Sequence, residues 1–323
     1  MNKLVLTTAV ALSALAAACV YGEWVYEGQW GAEGSGNGQF DYPAGIDVAP
    51  NGNVYVADFM NARIQYFSPT GSFLGKWGST QEFNGPYGLA IAPNGYVYVV
   101  NVGKNRDIIN YWTPTGSGLG GWGEYGSENG CFIWPLDVAV APNGNVYVAD
   151  TENCRVQYFT ANGYFRGKWG SVGTGNGEFW NNSGIAVAAN GVVYVTDPGR
   201  ENDRVQYFTS AGSFLGKWGL SGNGNGEFDS PWGVDSAPNG DVYVVDIGNH
   251  RVQYFTSAGS FLGKLGSYGS GNGQFHYPID VAVSPAGGRI YVSDEYNRRI
   301  QYFRWSPTNI APSSLGRVKA LYH

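Results

Sequence analysis

The chain is dominated by one stretch that recurs six times, most cleanly from Pro43 to Gly78: PAGIDVAPNGNVYVADFMNARIQYFSPTGSFLGKWG. Aligned on the residue that opens each copy, the starts fall at Pro43, Pro86, Pro135, Asn182, Pro231 and Pro278, spaced by 43, 49, 47, 49 and 47 residues. A period of this size means an array of supersecondary units, none of which can bury its apolar faces alone.

Within a copy the signals are those of four short strands. Gly45 to Ala49 reads as strand A and Pro50-Asn51-Gly52-Asn53 as a tight turn, because Asn-Gly supplies the positive φ a hairpin needs. Val54 to Ala57 is strand B, Arg63 to Phe67 strand C and Phe73 to Trp77 strand D. A four-stranded antiparallel sheet with two apolar faces must stack on its neighbours. A ring of such sheets is an all-β, six-bladed β-propeller.

The sixth copy ends at Tyr302-Phe303-Arg304-Trp305 without a strand D. The missing strand lies at the other end of the chain, where WVYEGQWG (24–31) aligns Gly28 with Gly75 and Trp30 with Trp77. The N-terminal strand is therefore expected to pair with strand C of blade six, removing the edge that an open array exposes.

Composition agrees, with 50 glycines, 15% aromatic and only 14% charged residues. The net charge of −6 argues against nucleic acid, which requires a basic footprint. Lys3, the apolar run Leu4–Ala18 and the small residues before Cys19 read as an export signal over 1–18. That run is too short to span a bilayer, which takes about 20 residues. Two processing routes stand for Cys19, ordinary cleavage or lipidation, because Leu15 lies one place too far upstream for a bacterial lipoprotein signal. The expected organisation is signal 1–18, linker 19–23, propeller 24–305 and a flexible tail 306–323. The mature chain is expected to be a monomer outside the cytoplasm, meeting a membrane only through a lipid on Cys19.

The motif PNGNVYVADxxNxRIQYF, followed by a glycine-rich GSGNGQF connection, resembles the NHL repeat, with Asn249-His250-Arg251 giving that signature in blade five. The resemblance covers about 24–305. It implies the propeller fold and leaves function open, since such propellers include protein-binding, RNA-binding and sensor modules as well as the amidating lyase.

The recurring Asp and Arg at the strand B–C loop (Asp58/Arg63, Asp150/Arg155, Asp197/Arg204, Asp246/Arg251, Asp294/Arg299) read as charge-assisted braces of that loop within each blade. Blade two replaces them together, with Asn101 and Ile108. The glycine-rich connections precede strands, not helix N-termini, and so lack the geometry of a phosphate cradle.

Strand direction places the B–C and D–A loops on one face, the upper face. These loops vary while the lower turns repeat, and variable loops on a rigid scaffold carry specificity. Aromatic rings lie beside the opening proline at Tyr42, Tyr87, Trp134, Trp232 and Tyr277, with Trp180 near the same place. They suit either inter-blade packing or stacking on a sugar or peptide. Asp137 and Asp280 occupy one level of the inner strands, Asp47 and Asp235 another. These acids suit either backbone hydrogen bonds or a channel Ca²⁺ with oxygen ligands. Cys131 and Cys154 both fall on the upper face, where a disulfide is expected in an exported chain.

The three histidines, His250, His276 and His323, are too scattered for a histidine-rich zinc site, and only His276 lies in a D–A loop. The sequence therefore favours a non-catalytic scaffold binding a protein, peptide or glycan at the upper face, with no cofactor. The alternative is a Ca²⁺-dependent lactonase-like or amidating-lyase-like enzyme at the channel mouth.

Overall fold

A computed structural model describes residues 22–103, 107–199 and 202–307. The expected signal 1–18, Cys19, residues 20–21 and most of the 306–323 tail lie outside the described residues. The described residues form two compact units, Val25–Arg304 and the paired ends around Trp24 and Trp305.

Val25–Arg304 is a ring of six four-stranded antiparallel sheets. The inner strands are Pro43–Val48, Pro86–Ile91, Pro135–Val140, Ile185–Val187, Pro231–Ser236 and Pro278–Val283, and each packs on the next until the last meets the first. Blade six is ordered N-terminal strand, Arg299–Pro307, Arg289–Asp294, Pro278–Val283, so the chain's first strand is its outer strand. Inside the ring this join is fixed by the ion pair of Arg289 with Glu27 (2.7 Å) and by Trp30 packed on Tyr302 (5.7 Å). In the second unit Trp24 and Trp305 meet edge to face at 5.4 Å.

Each strand B, such as Val54–Asp58, is buried on both faces, which explains its unbroken VYVAD-type run. The core lies between blades. Tyr55, Ile64 and Trp77 of blade one pack with Leu89, Val97, Val99 and Trp112 of blade two. The strand B tyrosine also crosses the lower face. Tyr55, Tyr98, Tyr147, Tyr194 and Tyr291 each donate their hydroxyl to a carbonyl in the next blade's C–D turn, at 3.0–3.1 Å.

The Asp–Arg pairs are buried, with Nε–Oδ2 distances of 2.6 Å for Asp58/Arg63 and Asp150/Arg155, 3.0 Å for Asp197/Arg204, and 2.7 Å for Asp246/Arg251 and Asp294/Arg299. The expected pairing at the B–C loop is present in all five blades, and each arginine in addition holds the D–A connection. Arg63 donates to the carbonyls of Ser35, Gly36 and Gln39, and Gln65 donates to Gln39 O and accepts from Gly38 N. Arg204 departs furthest from a loop brace. Blade four separates it from Asp197 by seven positions instead of the usual five, and its bond to that carboxylate is the longest of the five. Its Nη atoms nevertheless keep the full grip on the connection, donating to Thr174 O (2.7 Å), Gly175 O (2.9 Å) and Glu178 O (2.8 Å). The glycine-rich connection is thus pinned across strand C by its backbone, whatever the length of the B–C loop. In blade two Asn101 Oδ1 accepts from Asn84 N (2.9 Å) where Asp58 accepts from Asp41 N. Arg106, a candidate substitute cation there, lies outside the described residues.

Candidate functional site

The upper face is built around a position no repeat motif marks, the residue just before strand C: Ala62, Asp107, Cys154, Asp203, His250 and Arg298. All except Asp107 have positive φ, from 29 to 53°. At this position the side chain faces the next blade's D–A loop across the seam. Asp107 accepts from Trp134 N (2.7 Å), Asp203 from Ser230 N (3.2 Å), and His250 Nδ1 from Tyr277 N (3.2 Å). Cys154 Sγ donates to Trp180 O at 3.3 Å.

This corrects the expected disulfide: Cys131 and Cys154 are both free. Cys154 is turned toward blade four, while Cys131 takes the place of Gln39 in the connection, its side chain lying over Gly126 and its carbonyl accepting from Arg155 and Gln157.

At the seams of blades five, six and one the same position builds a continuous aromatic surface. His250 lies 5.0 Å from both Tyr268 and Tyr277 by ring centroids, and His276 lies 5.2 Å from Tyr268 and 5.0 Å from Tyr296. Tyr277 meets Tyr296 at 5.1 Å, and Tyr296 meets Tyr42 at 5.6 Å. Arg298 closes the run, its guanidinium 3.6 Å above the Tyr42 ring and 3.4 Å from Asp41. Tyr268, Tyr296 and Tyr277 remain 64%, 48% and 42% exposed. Burial, reinforced by the neighbouring His276, lowers the His250 pKa. Burial lifts Glu295, beside Arg298, to about 7.

The rings beside the opening prolines divide into two sets. Tyr42, Trp134 and Tyr277 precede the proline with φ of 58, 49 and 53°, which turns them to the rim. Tyr87 and Trp232 follow it and line the channel mouth with Asp137 and Asp280. Trp134 stands 47% exposed at a different seam from Tyr42 and Tyr277, and Trp180 is half-buried in blade four. The structure thus joins Tyr42, Tyr277 and His276 into one surface. His250, Tyr268, Tyr296 and Arg298 were missed because they are adjacent only across seams. The available signal was the variation at the residue preceding each strand C arginine.

The four channel acids form a second constellation, lining one cavity of ≈ 90 Å³. Each carboxylate spends one oxygen on the backbone N–H of its following residue. The other oxygen accepts from the inner strand of the next blade: Asp47 from Ile91 (2.6 Å), Asp137 from Ile185 (2.9 Å), Asp235 from Val283 (2.7 Å), Asp280 from Ile46 (3.0 Å). Gly88 follows from this arrangement, because a Cβ there would fall 2.5 Å from Asp137 Oδ1. The acids line channel space, yet protein surrounds most of their volume, and this burial raises every pKa. Asp47 reaches about 8, with Asp235 adding repulsion; Asp280 reaches about 7 and Asp235 about 6, and Asp137 also lies well above the usual range. All eight oxygens are engaged by backbone donors, and among the described residues no group of three or more His, Cys, Asp or Glu is placed to hold a metal. The donor set fits an inter-blade clasp and does not fit a Ca²⁺ cage, which takes six to eight oxygens around one point.

Comparison with known proteins places the fold. The NHL repeat family matches residues 40–67, 132–159, 228–255 and 275–303. No curated protein sequence matches the chain significantly. Among solved structures, virginiamycin B lyase from Staphylococcus aureus is 15% identical with a TM-score of 0.57, over 90% of each chain. A gluconolactonase from Xanthomonas campestris is 13% identical with a TM-score of 0.61, over 88% of this chain and 98% of its own. The PQQ-bound aldose sugar dehydrogenase from Streptomyces coelicolor is 16% identical with a TM-score of 0.60, over 89% of this chain and 99% of its own. At such identities the likeness is one of fold. Four matched repeats on a ring of six four-stranded blades make this chain an NHL-repeat β-propeller.

Proposed function

We propose that this propeller is a binding scaffold outside the cytoplasm, taking a protein, peptide or glycan on the aromatic surface shared by blades five, six and one. The observation that carries the reading is the unbroken run of rings from Tyr268 through His250, His276, Tyr277 and Tyr296 to Tyr42, with three tyrosines left open to solvent. Exposed aromatics grouped in this way mark contact surfaces: a tyrosine offers a large apolar face, a hydroxyl and little side-chain entropy to lose. Residues 1–18 supply the expectation of export.

The channel supports catalysis less well. The cavity among its acids, ≈ 90 Å³, lies below the about 300 Å³ at which ligand pockets begin. The fold relatives include a lyase, a lactonase and a dehydrogenase, and those activities belong to those proteins.

The test is a glycan and peptide array probed with the mature chain and with Tyr277→Ala/Tyr296→Ala. The parent is expected to retain a defined ligand class, and the double variant to lose at least tenfold in affinity at an unchanged melting temperature. Undiminished binding by the folded double variant would refute this location for the site.

A further inference from the structure

Blade two lacks a piece that its five sisters share. In the other connections a glycine after strand D and a buried phenylalanine lie nine positions apart: Gly31–Phe40, Gly123–Phe132, Gly170–Phe179, Gly219–Phe228 and Gly266–Phe275. Each of these carries the same parallel backbone bridge, such as Glu33 to Phe40. Each glycine-rich segment lies over strand C, gripped by its arginine and glutamine, as at Arg155 and Gln157. The connection into blade two runs from Gly78 to Phe83, four residues shorter, and closes as a tight turn with Phe83 N donating to Ser79 O at 2.8 Å.

The side chains that would fill the vacated slot are cut back in the same blade. Ile108 stands for arginine, Asn110 for glutamine and Gly121 for the strand D lysine. The result is an open cleft of ≈ 670 Å³ lined by Ile108, Asn110, Gly121, Trp122, Glu124 and Tyr125. That volume lies within the range of ligand-binding clefts, about 300–1,000 Å³. Asn110 carries, one methylene shorter, the carboxamide that in the sister blades bonds a loop N–H and a loop carbonyl; its Oδ1 accepts from Asn101 Nδ2 at 3.3 Å, and a guest N–H would take that place. Tyr125, 54% exposed, forms a wall.

We infer that this cleft receives an extended glycine- and serine-rich segment of a partner polypeptide, seated where the chain's own connection lies in the other five blades. The ring itself shows the chemistry: a small-residue backbone whose N–H and C=O groups are read by a carboxamide on strand C, while the buried phenylalanine that ends each connection is already supplied here by Phe83. Because Asp and Arg are replaced by the neutral pair Asn101 and Ile108, the seat requires no charge in the segment's centre. Glu124 at the rim favours a basic residue beside it. This site is separate from the aromatic surface, on a different blade.

The probe is the chain's own connection sequence as a free peptide, GSGNGQF with benzoylphenylalanine for the terminal Phe, photo-cross-linked to the full mature chain. Adducts are expected within residues 108–125, with yield reduced at least fivefold by Tyr125→Ala and by Ile108→Arg, and unaffected by Tyr277→Ala. Tyr125→Ala removes an exposed side chain, so it remains informative should Ile108→Arg not fold. Adducts spread evenly over all blades, or a yield unchanged in folded Tyr125→Ala, would overturn the inference.

Discussion

The ring's stability should fall as pH rises through neutrality, because burial favours the protonated form of the channel acids. An acid whose folded pKa lies above its unfolded value keeps its proton in the ring after the unfolded chain has released it. Stability then declines over the interval between the two values, by about 1.4 kcal/mol per pH unit for each such group. For Asp47 the interval runs from 3.8 to about 8. Between pH 5 and 8 this residue alone removes about 4 kcal/mol, and Asp280, with a folded value of about 7, acts in the same direction. At about 2 °C per kcal/mol for a domain this large, the expected fall in Tm is about 8 °C from Asp47. The repeat supplies the control variant, because Ala90, Ala139, Ala186 and Ala282 hold the position of Asp47 in four other blades. Asp47→Ala leaves the N–H groups of Val48 and Ile91 without their carboxylate, a loss of about 1–3 kcal/mol per group that is felt most at pH 5. At pH 8 the loss is offset by removal of an acid that ionises unfavourably. The assay is scanning calorimetry in matched buffers from pH 5 to 9. A flat or rising Tm in the parent, or an unchanged slope in Asp47→Ala, would refute the reasoning.

Three further outcomes follow from the same geometry. Arg251→Lys should destabilise the ring by about 3 kcal/mol in chemical denaturation, because an ammonium cannot reach Asp246 and the carbonyls of Asn223, Gly224 and Glu227 together. Tyr147→Phe should cost about 1 kcal/mol by losing the hydroxyl bond to Ser210 O across the lower seam, and an equal melting curve would remove that bond from the account. Thiol titration of the denatured, unreduced protein should find both Cys131 and Cys154 reactive, Cys131 labelling faster in the native state because burial raises the Cys154 pKa; silence at both would restore the disulfide.

The ring was legible because its determinants are local and repeated. Asn-Gly turns, VYVAD strands and the displaced WVYEGQW strand lie within short windows, and six copies average out the noise. The Asp–Arg pairing was legible too, but its reach was not. Arg204 sits seven residues from Asp197, whereas the carbonyls it grips lie 26 to 30 residues before it, in a connection with no side-chain motif to announce a partner. The seams were not legible. His250 meets Tyr277, and Arg298 reaches Asp41, across blade boundaries, and in the second case across nearly the whole chain. A position filled in turn by Ala, Asp, Cys, Asp, His and Arg looks like noise until the contacts across the seam show what it faces. The cysteines misled for the same reason: one face does not mean one seam, and Cys154 points away from the loop that holds Cys131. The channel acids were placed on the correct strands. Their role needed the neighbour's N–H, which no single repeat contains.

The join between the first strand and the last also sets an order of events. During synthesis the N-terminal strand emerges first, and its hydrogen-bonding partner begins only at Arg299. Five blades can assemble from neighbouring segments while this strand waits with no mate, its apolar Trp30 without the shelter of Tyr302 and Tyr291. Loop closure over nearly the full chain should then be the slow, final step, and the interval before it the one in which the nascent protein is most open to aggregation. A circular permutant beginning at Pro43, with the old termini joined by a flexible linker, would make blade six local, and should reach the native state faster than the parent at similar final stability.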